Sequence, residues 1–152
     1  MELKNKGQIV IGHSTPENDP IQGDGISMEG SNILLQSFTT SISDVAIKNC
    51  SGVGLDLSGH SINASGIITI DNVGGNGINI FSPDNIKTFT NFGTLKVANT
   101  GGHGIQINNT KFLNKSNSEI FVDGTQEDAI HFIGDVNTFF ENNAFIQIGK
   151  NK

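Results

Sequence analysis

The chain has 152 residues, a formal net charge of −6 and no arginine, and its nine lysines are scattered along the sequence. A protein that binds nucleic acid needs a basic stripe to meet the phosphate backbone, so the composition excludes nucleic acid as a partner. No run of about 18 apolar residues could span a membrane, and no apolar signal-peptide core precedes the first strand phrase. The single cysteine, Cys50, excludes an internal disulfide.

Five copies of one phrase, a glycine or alanine followed by two apolar residues with one residue between them, divide the chain. They occupy residues 25–28, 54–57, 77–80, 104–107 and 129–132, and their starts lie 29, 23, 27 and 25 residues apart. A repeat of this length is typical of a solenoid or an array. The apolar residues of each copy stand two apart, so they face one side of a strand and the residue between them faces the other.

A second apolar phrase repeats in step with the first. It occupies residues 9–11, 45–47, 68–70, 95–97, 120–122 and 146–148. In four coils the last apolar residue of this phrase stands eight positions before the first apolar residue of the next Gly-Ile phrase, as from Ile47 to Leu55. This constant spacing predicts one turn conformation stacked on itself. Only the connection from Ile11 to Ile26 is longer, by seven residues, which predicts a surface loop over residues 13–24.

A third and weaker apolar segment lies between the other two. We place it at residues 33–38, near Ile62, and at residues 86–89, 112–113 and 136–140. Its distance from the Gly-Ile phrase varies, which indicates loops of unequal length. Each coil is therefore expected to hold three short strands.

Asparagine and glycine recur at one point of the predicted turn. Two residues after the second phrase stand Asn49, Asn72, Asn99 and Gly124. These residue types tolerate left-handed backbone, and stacked asparagines can pass amide hydrogen bonds from coil to coil. The pattern predicts a turn ladder. Cys50 falls in the next column and is expected to be a small stacked residue.

The fold class predicted from these repeats is all-β. Three strands per coil, coils of about 25 residues and unequal loops resemble the right-handed parallel β-helix, with about five to six coils in one domain over residues 1–152. No amphipathic segment is available as a helical cap. Solenoids generally need a polar cap, so either the chain belongs to a longer solenoid or its ends are covered by another copy.

Two segments carry a family resemblance. Residues 5–11 and 91–97 both read Asn-x-Gly-x, followed by two aliphatic residues with one residue between them. This pattern resembles the coils of autotransporter and filamentous-haemagglutinin-type passenger domains. The resemblance implies an adhesive or stalk-forming rod at the cell surface or outside the cell. Its partners would be further copies of itself or host or cell-surface glycans or proteins, and no cofactor is implied.

The alternative is a polysaccharide-active enzyme or a carbohydrate-binding β-helix, since pectin-degrading enzymes also form β-helices. Residues 102–104, Gly-His-Gly, match a tripeptide of the polygalacturonase family, and the acids Glu127 and Asp128 resemble its paired-acid segment. In that family, however, the acids precede the tripeptide. A pectate-lyase mechanism is disfavoured because its base is an arginine, and tyrosine and tryptophan, the usual sugar platforms, are absent. The sequence therefore favours a non-enzymatic role.

One polar cluster is the candidate site. By the eight-residue spacing, His103 and Asp128 occupy the same place in adjacent coils, with Glu127 next to Asp128 and His131 in the neighbouring outward column. Such a patch can bind a divalent metal through all four side chains, or move protons through His103, Asp128 and His131. The alternative is a solvated turn with an incidental His–Asp contact. The other histidines, His13 and His60, are expected in loops without a visible partner.

Overall fold

The computed structural model describes residues 9–11, 22–29, 39–59, 61–83, 87–134 and 138–149. Every regular element within these ranges is a β-strand, as the composition predicts. The fourteen strands are β1 (Ile9–Ile11), β2 (Ile26–Glu29), β3 (Thr39–Cys50), β4 (Leu55–Ser58), β5 (Ser61–Val73), β6 (Ile78–Phe81), β7 (Thr88–Asn91), β8 (Thr94–Thr100), β9 (Ile105–Asn108), β10 (Lys111–Asn114), β11 (Glu119–Thr125), β12 (Ile130–Ile133), β13 (Phe139–Asn142) and β14 (Phe145–Ile148). None of the described residues forms a helix that could cross a membrane.

The strands form two parallel sheets that wind into a solenoid of about four turns. The five-stranded sheet has the order β12-β9-β6-β4-β2 and collects the five Gly-Ile phrases. Its register aligns Ile26, Leu55, Ile78, Ile105 and Ile130, which are 26 residues apart on average. The sequence repeat is therefore the structural repeat, and the parallel solenoid is confirmed.

The second sheet has nine strands and contains both remaining phrases. In β5 the third phrase, at Ile62, and the second phrase, at residues 68–70, run together as one long strand that pairs with β3, whereas later coils divide them, as into β7 and β8. The bend inside the long strands coincides with positive φ at Asp44 (51°) and Gly66 (67°), and the β3–β5 register shifts between Ser43 and Val45. The predicted third segments at Ile62 and at residues 112–113 lie in strands. Residues 33–38, and most of the loop over residues 13–24, lie outside the described residues.

The core is a set of side-chain columns that run along the solenoid. In β4, β6 and β9 alternate residues point inward, so these strands share one pattern of buried and half-buried positions. One column of the nine-stranded sheet contains Ile47, Ile70, Val97 and Val122, all at most 2% exposed. Apolar burial of this kind contributes about 25 cal/mol per Å² and is the main source of stability.

The third strand of the later coils contributes two neighbouring columns, one of aromatic rings and one of asparagine amides. The rings of Phe89 and Phe112 stack with centroids 4.8 Å apart, and Phe140 continues the stack at 5.2 Å. Two residues after two of these rings, Asn91 and Asn114 are fully buried. The sequence patterns considered above do not reveal these interior asparagines.

The predicted turn ladder is present. Asn49, Asn72 and Asn99 have φ of 57°, 55° and 51°, and Gly124 has φ of 62°. The amide of Asn72 donates to Asn49 Oδ1 over 2.6 Å, as expected for stacked asparagines, but the amide of Asn99 donates to Asp71 instead. The next column pairs Cys50 with Val73, so the prediction of a small stacked residue at Cys50 is confirmed.

The glycine that opens each Gly-Ile phrase is required by close packing between coils. A Cβ on Gly77 would lie 2.2 Å from Val97 Cγ1 and 2.6 Å from the carbonyl oxygen of Gly104 in the next coil. The fifth phrase has Ala129 at this place, in front of β12, and β12 is the outermost strand of its sheet. Among the described residues no strand packs onto this side of Ala129, so a methyl group is tolerated there.

Candidate functional site

The candidate site is built around one position of the stacked turn. This position is the residue just before the glycine or alanine of each Gly-Ile phrase. Three polar side chains at this position accept a hydrogen bond from the backbone N–H of the equivalent residue one coil later. Asp24 Oδ1 accepts from Val53 over 2.8 Å, and Asn76 Oδ1 accepts from His103 over 2.9 Å. His103 Nδ1 accepts from Asp128 over 3.2 Å. The structure therefore places His103 and Asp128 in equivalent positions of neighbouring coils.

His131 reaches the same place from the adjacent strand. It is the second residue of β12 and pairs in register with Gln106 of β9, on the outward face of the five-stranded sheet. Its ring stacks on the ring of His103, with centroids 4.0 Å apart and planes inclined by 4°. The two coils thus bring the two imidazoles into direct contact.

Two carboxylates complete the cluster. Glu127 Oε2 lies 3.1 Å from His103 Nε2, and Asp128 Oδ2 lies 2.7 Å from His131 Nδ1. The same Asp128 oxygen lies 3.8 Å from His103 Nδ1. The side chain of His103 is 16% exposed and that of His131 33%, whereas both carboxylates are more than half exposed. The imidazoles are therefore partly shielded and the acids stand in solvent.

The contacts of each ring indicate its tautomer. Because His103 Nδ1 accepts the backbone N–H of Asp128, the proton of this ring sits on Nε2, which lies 3.1 Å from Glu127 Oε2. Because a carboxylate can only accept, His131 donates its Nδ1–H to Asp128. In the neutral ring the second nitrogen of His131 then carries a lone pair. Each histidine thus has one nitrogen beside a carboxylate, and the other nitrogen of His103 is engaged with the backbone of Asp128.

An equivalent pair one coil earlier shows what the fold itself requires. Asn76 and Gln106 stand where His103 and His131 stand, and the Asn76 amide donates to Gln106 Oε1. Neutral amides therefore satisfy this place in the solenoid. The turn therefore does not require two histidines and two acids at this place.

The structure brings together all four residues that the sequence singles out, His103, Glu127, Asp128 and His131. Metal binding and proton transfer by them remain predictions. His13 and His60 lie outside the described residues. The sequence did not reveal that His103 also serves as a hydrogen-bond acceptor in the turn, although Asp24 and Asn76 in the same column are the signal that could have indicated it.

Comparison of the chain with protein-family models, with curated proteins and with solved structures finds no match.

Proposed function

We propose that this protein is a structural or interaction module that self-associates end to end. In this proposal the solenoid is a right-handed parallel β-helix of five to six coils without a helical cap, displayed at the cell surface or outside the cell as an adhesin-like or stalk-like rod. The observation that carries the proposal is the apolar end of the solenoid formed by β12, β13 and β14.

The outer coil continues the buried columns but leaves them exposed. Ile107 is fully buried, whereas its register partner Phe132 in β12 is 47% exposed. Likewise Val122 is 1% exposed and its partner Ile148 in β14 is 61% exposed. Exposed apolar surface that is continuous with a core is typical of an interaction site.

The backbone of the two ends supports a second copy of this chain as the partner. At one end the strands β12, β13 and β14 each have a neighbour on one side only, and at the other end so do β1 and β2, counting described strands. All strands are parallel, so a second copy in the same orientation can repeat the contact between coils. Such a head-to-tail contact does not close and produces oligomers or filaments.

The test is the mass of the particles in solution. Light scattering after size exclusion, together with electron microscopy, is expected to show oligomers whose size grows with protein concentration. Phe132→Glu places a charge in the end column and is expected to shift the population to monomers. Phe92→Glu is the matched control, because Phe92 is 53% exposed but lies between β7 and β8, which are paired on both sides. A strictly monodisperse monomer at high concentration would overturn the proposal.

A polysaccharide-active enzyme is the second candidate, favoured by the convergence of two acids and two histidines on one surface. The test is product release from a panel of acidic polysaccharides, with and without calcium, by the wild type and by His103→Ala. Product formation that depends on His103 would support the enzyme. Host or cell-surface glycans and proteins remain proposed partners of the rod.

A further inference from the structure

We propose that His103, Asp128 and His131 form a binding site for a divalent transition-metal ion, with Glu127 as an outer partner of His103. One ligand atom of each of the three residues lies within 4.8 Å of the others. His131 lies on the outward face of β12, whereas the apolar residues Ile130 and Phe132 of the same strand continue the inward columns proposed for end-to-end association.

The donor set selects the class of metal. Two imidazoles and one carboxylate suit zinc, nickel or copper, whereas calcium and magnesium prefer sites built from oxygen ligands alone. Three protein ligands leave further positions of the ion to water, as in open zinc sites. Asp128 faces both rings, since one of its oxygens is within 3.8 Å of the Nδ1 atom of each histidine.

The position of Glu127 beside His103 fits a metal ligand. His103 Nε2 lies 3.1 Å from Glu127 Oε2, while the lone pair of Nδ1 accepts the backbone N–H of Asp128 and would leave that hydrogen bond to bind the ion. A metal-bound histidine commonly donates its other ring N–H to a carboxylate, which fixes the tautomer and raises the basicity of the ligand. At His131 the ion would replace the proton shared with Asp128, or would take the lone pair of Nε2.

Two changes are required for binding: His103 Nδ1 must release the backbone N–H of Asp128, and one of the two rings must turn. The lone pairs of an imidazole lie in the ring plane, and parallel rings 4.0 Å apart cannot both direct a lone pair at one ion. One ring must turn, and His131 is the more exposed of the two. The three ligand residues are close together, but their rings are not oriented for binding. We therefore expect weaker zinc binding than in a closed structural zinc site.

The equivalent pair of the previous coil supplies the matched control. Changing His103→Asn and His131→Gln together reproduces Asn76 and Gln106, which the solenoid accommodates. This double variant is expected to fold with an unchanged circular dichroism spectrum. It removes both imidazoles and leaves Glu127 and Asp128 in place, so any binding that remains comes from the acids alone.

The experiment is calorimetric titration of the full chain with zinc chloride and, separately, with calcium chloride. We expect one zinc per chain, at least tenfold weaker zinc binding in the double variant, and no heat with calcium. In ¹⁵N spectra the ring nitrogens of both histidines are expected to shift on zinc addition. Equal zinc affinity in wild type and double variant, or no zinc binding by the wild type, would overturn the site. Repeating the titration on Ile148→Glu, a change at the apolar end in β14 of the other sheet, separates the outcome from that of self-association.

Discussion

The side-chain amide of Asn91 donates a hydrogen bond to Oδ1 of Asn114 over 2.8 Å in the interior of the solenoid. Asn114 repeats the contact, donating to Asn142 Oδ1 over 2.7 Å in the next coil. Asn91 Oδ1 also accepts the backbone N–H of Gly93, so the amide holds the corner between β7 and β8. Buried polar groups of this kind are stable only when satisfied, and these asparagines therefore fix the corner and the register together.

Replacing Asn114 is expected to destabilise the solenoid. Asn114→Leu leaves one amide hydrogen of the fully buried Asn91 without its partner, and a buried polar group without a partner costs about 1–3 kcal/mol. The measurement is the free energy of unfolding from urea titration. Asn143→Ala, at an exposed position next to this column, is the control and should change stability by no more than about 0.5 kcal/mol. Equal losses in both variants would contradict the role of the ladder.

The sequence predicted the solenoid because the two strand phrases keep a fixed register. It did not predict the hydrogen-bonded row of Asn91, Asn114 and Asn142 on the third strand. That strand is joined by loops of unequal length, so no constant spacing aligns its copies. The signal is nevertheless present as Phe-x-Asn at residues 89–91, 112–114 and 140–142. Only the structure shows that both the ring and the amide point inward.

Part of the candidate site could likewise be predicted from the sequence, and part could not. The constant turn length placed His103 beside Asp128, and the outward column placed His131 near them, because both follow from backbone register. The stacking of the two rings and the tautomer of His103 depend on side-chain rotamers and on a backbone N–H from the next coil. Strand spacing alone does not determine these features.

The close packing of the turn predicts a strong asymmetry between two reciprocal changes. Gly77→Ala places a methyl group against Val97 and against a carbonyl oxygen of the next coil, and the carbonyl cannot move without disturbing the stack. We expect a loss of about 1–3 kcal/mol in the free energy of unfolding, as for overpacking. Ala129→Gly should cost no more than about 1 kcal/mol, from chain entropy. Thermal and urea unfolding check both, and a tolerated Gly77→Ala would contradict the packing argument.

The left-handed turn position predicts that alanine is worse than glycine at residue 72. Asn72 has φ of 55°, and both Asn72→Ala and Asn72→Gly lose its hydrogen bond to Asn49. Only alanine adds the cost of a left-handed backbone, roughly 1–2 kcal/mol. The difference in the urea midpoints of the two variants measures this strain. Equal midpoints would mean that the turn relaxes out of the left-handed region.

Burial of Cys50 predicts a loss of stability at high pH. Burial raises the pKa of its thiol, outweighing a hydrogen bond from the Gly25 backbone that lowers it. In the unfolded chain the thiol loses its proton near pH 8.5, before the folded protein does, so the unfolded state then binds fewer protons. The free energy of unfolding should therefore be unaffected by this group below about pH 8 and fall as the pH rises toward the folded pKa. Cys50→Val copies Val73 in the same column and removes the titrating thiol. From pH 8 to pH 10 the free energy of unfolding of the wild type should therefore fall relative to that of the variant. A difference that stays constant across this range would show that the thiol ionises alike in both states.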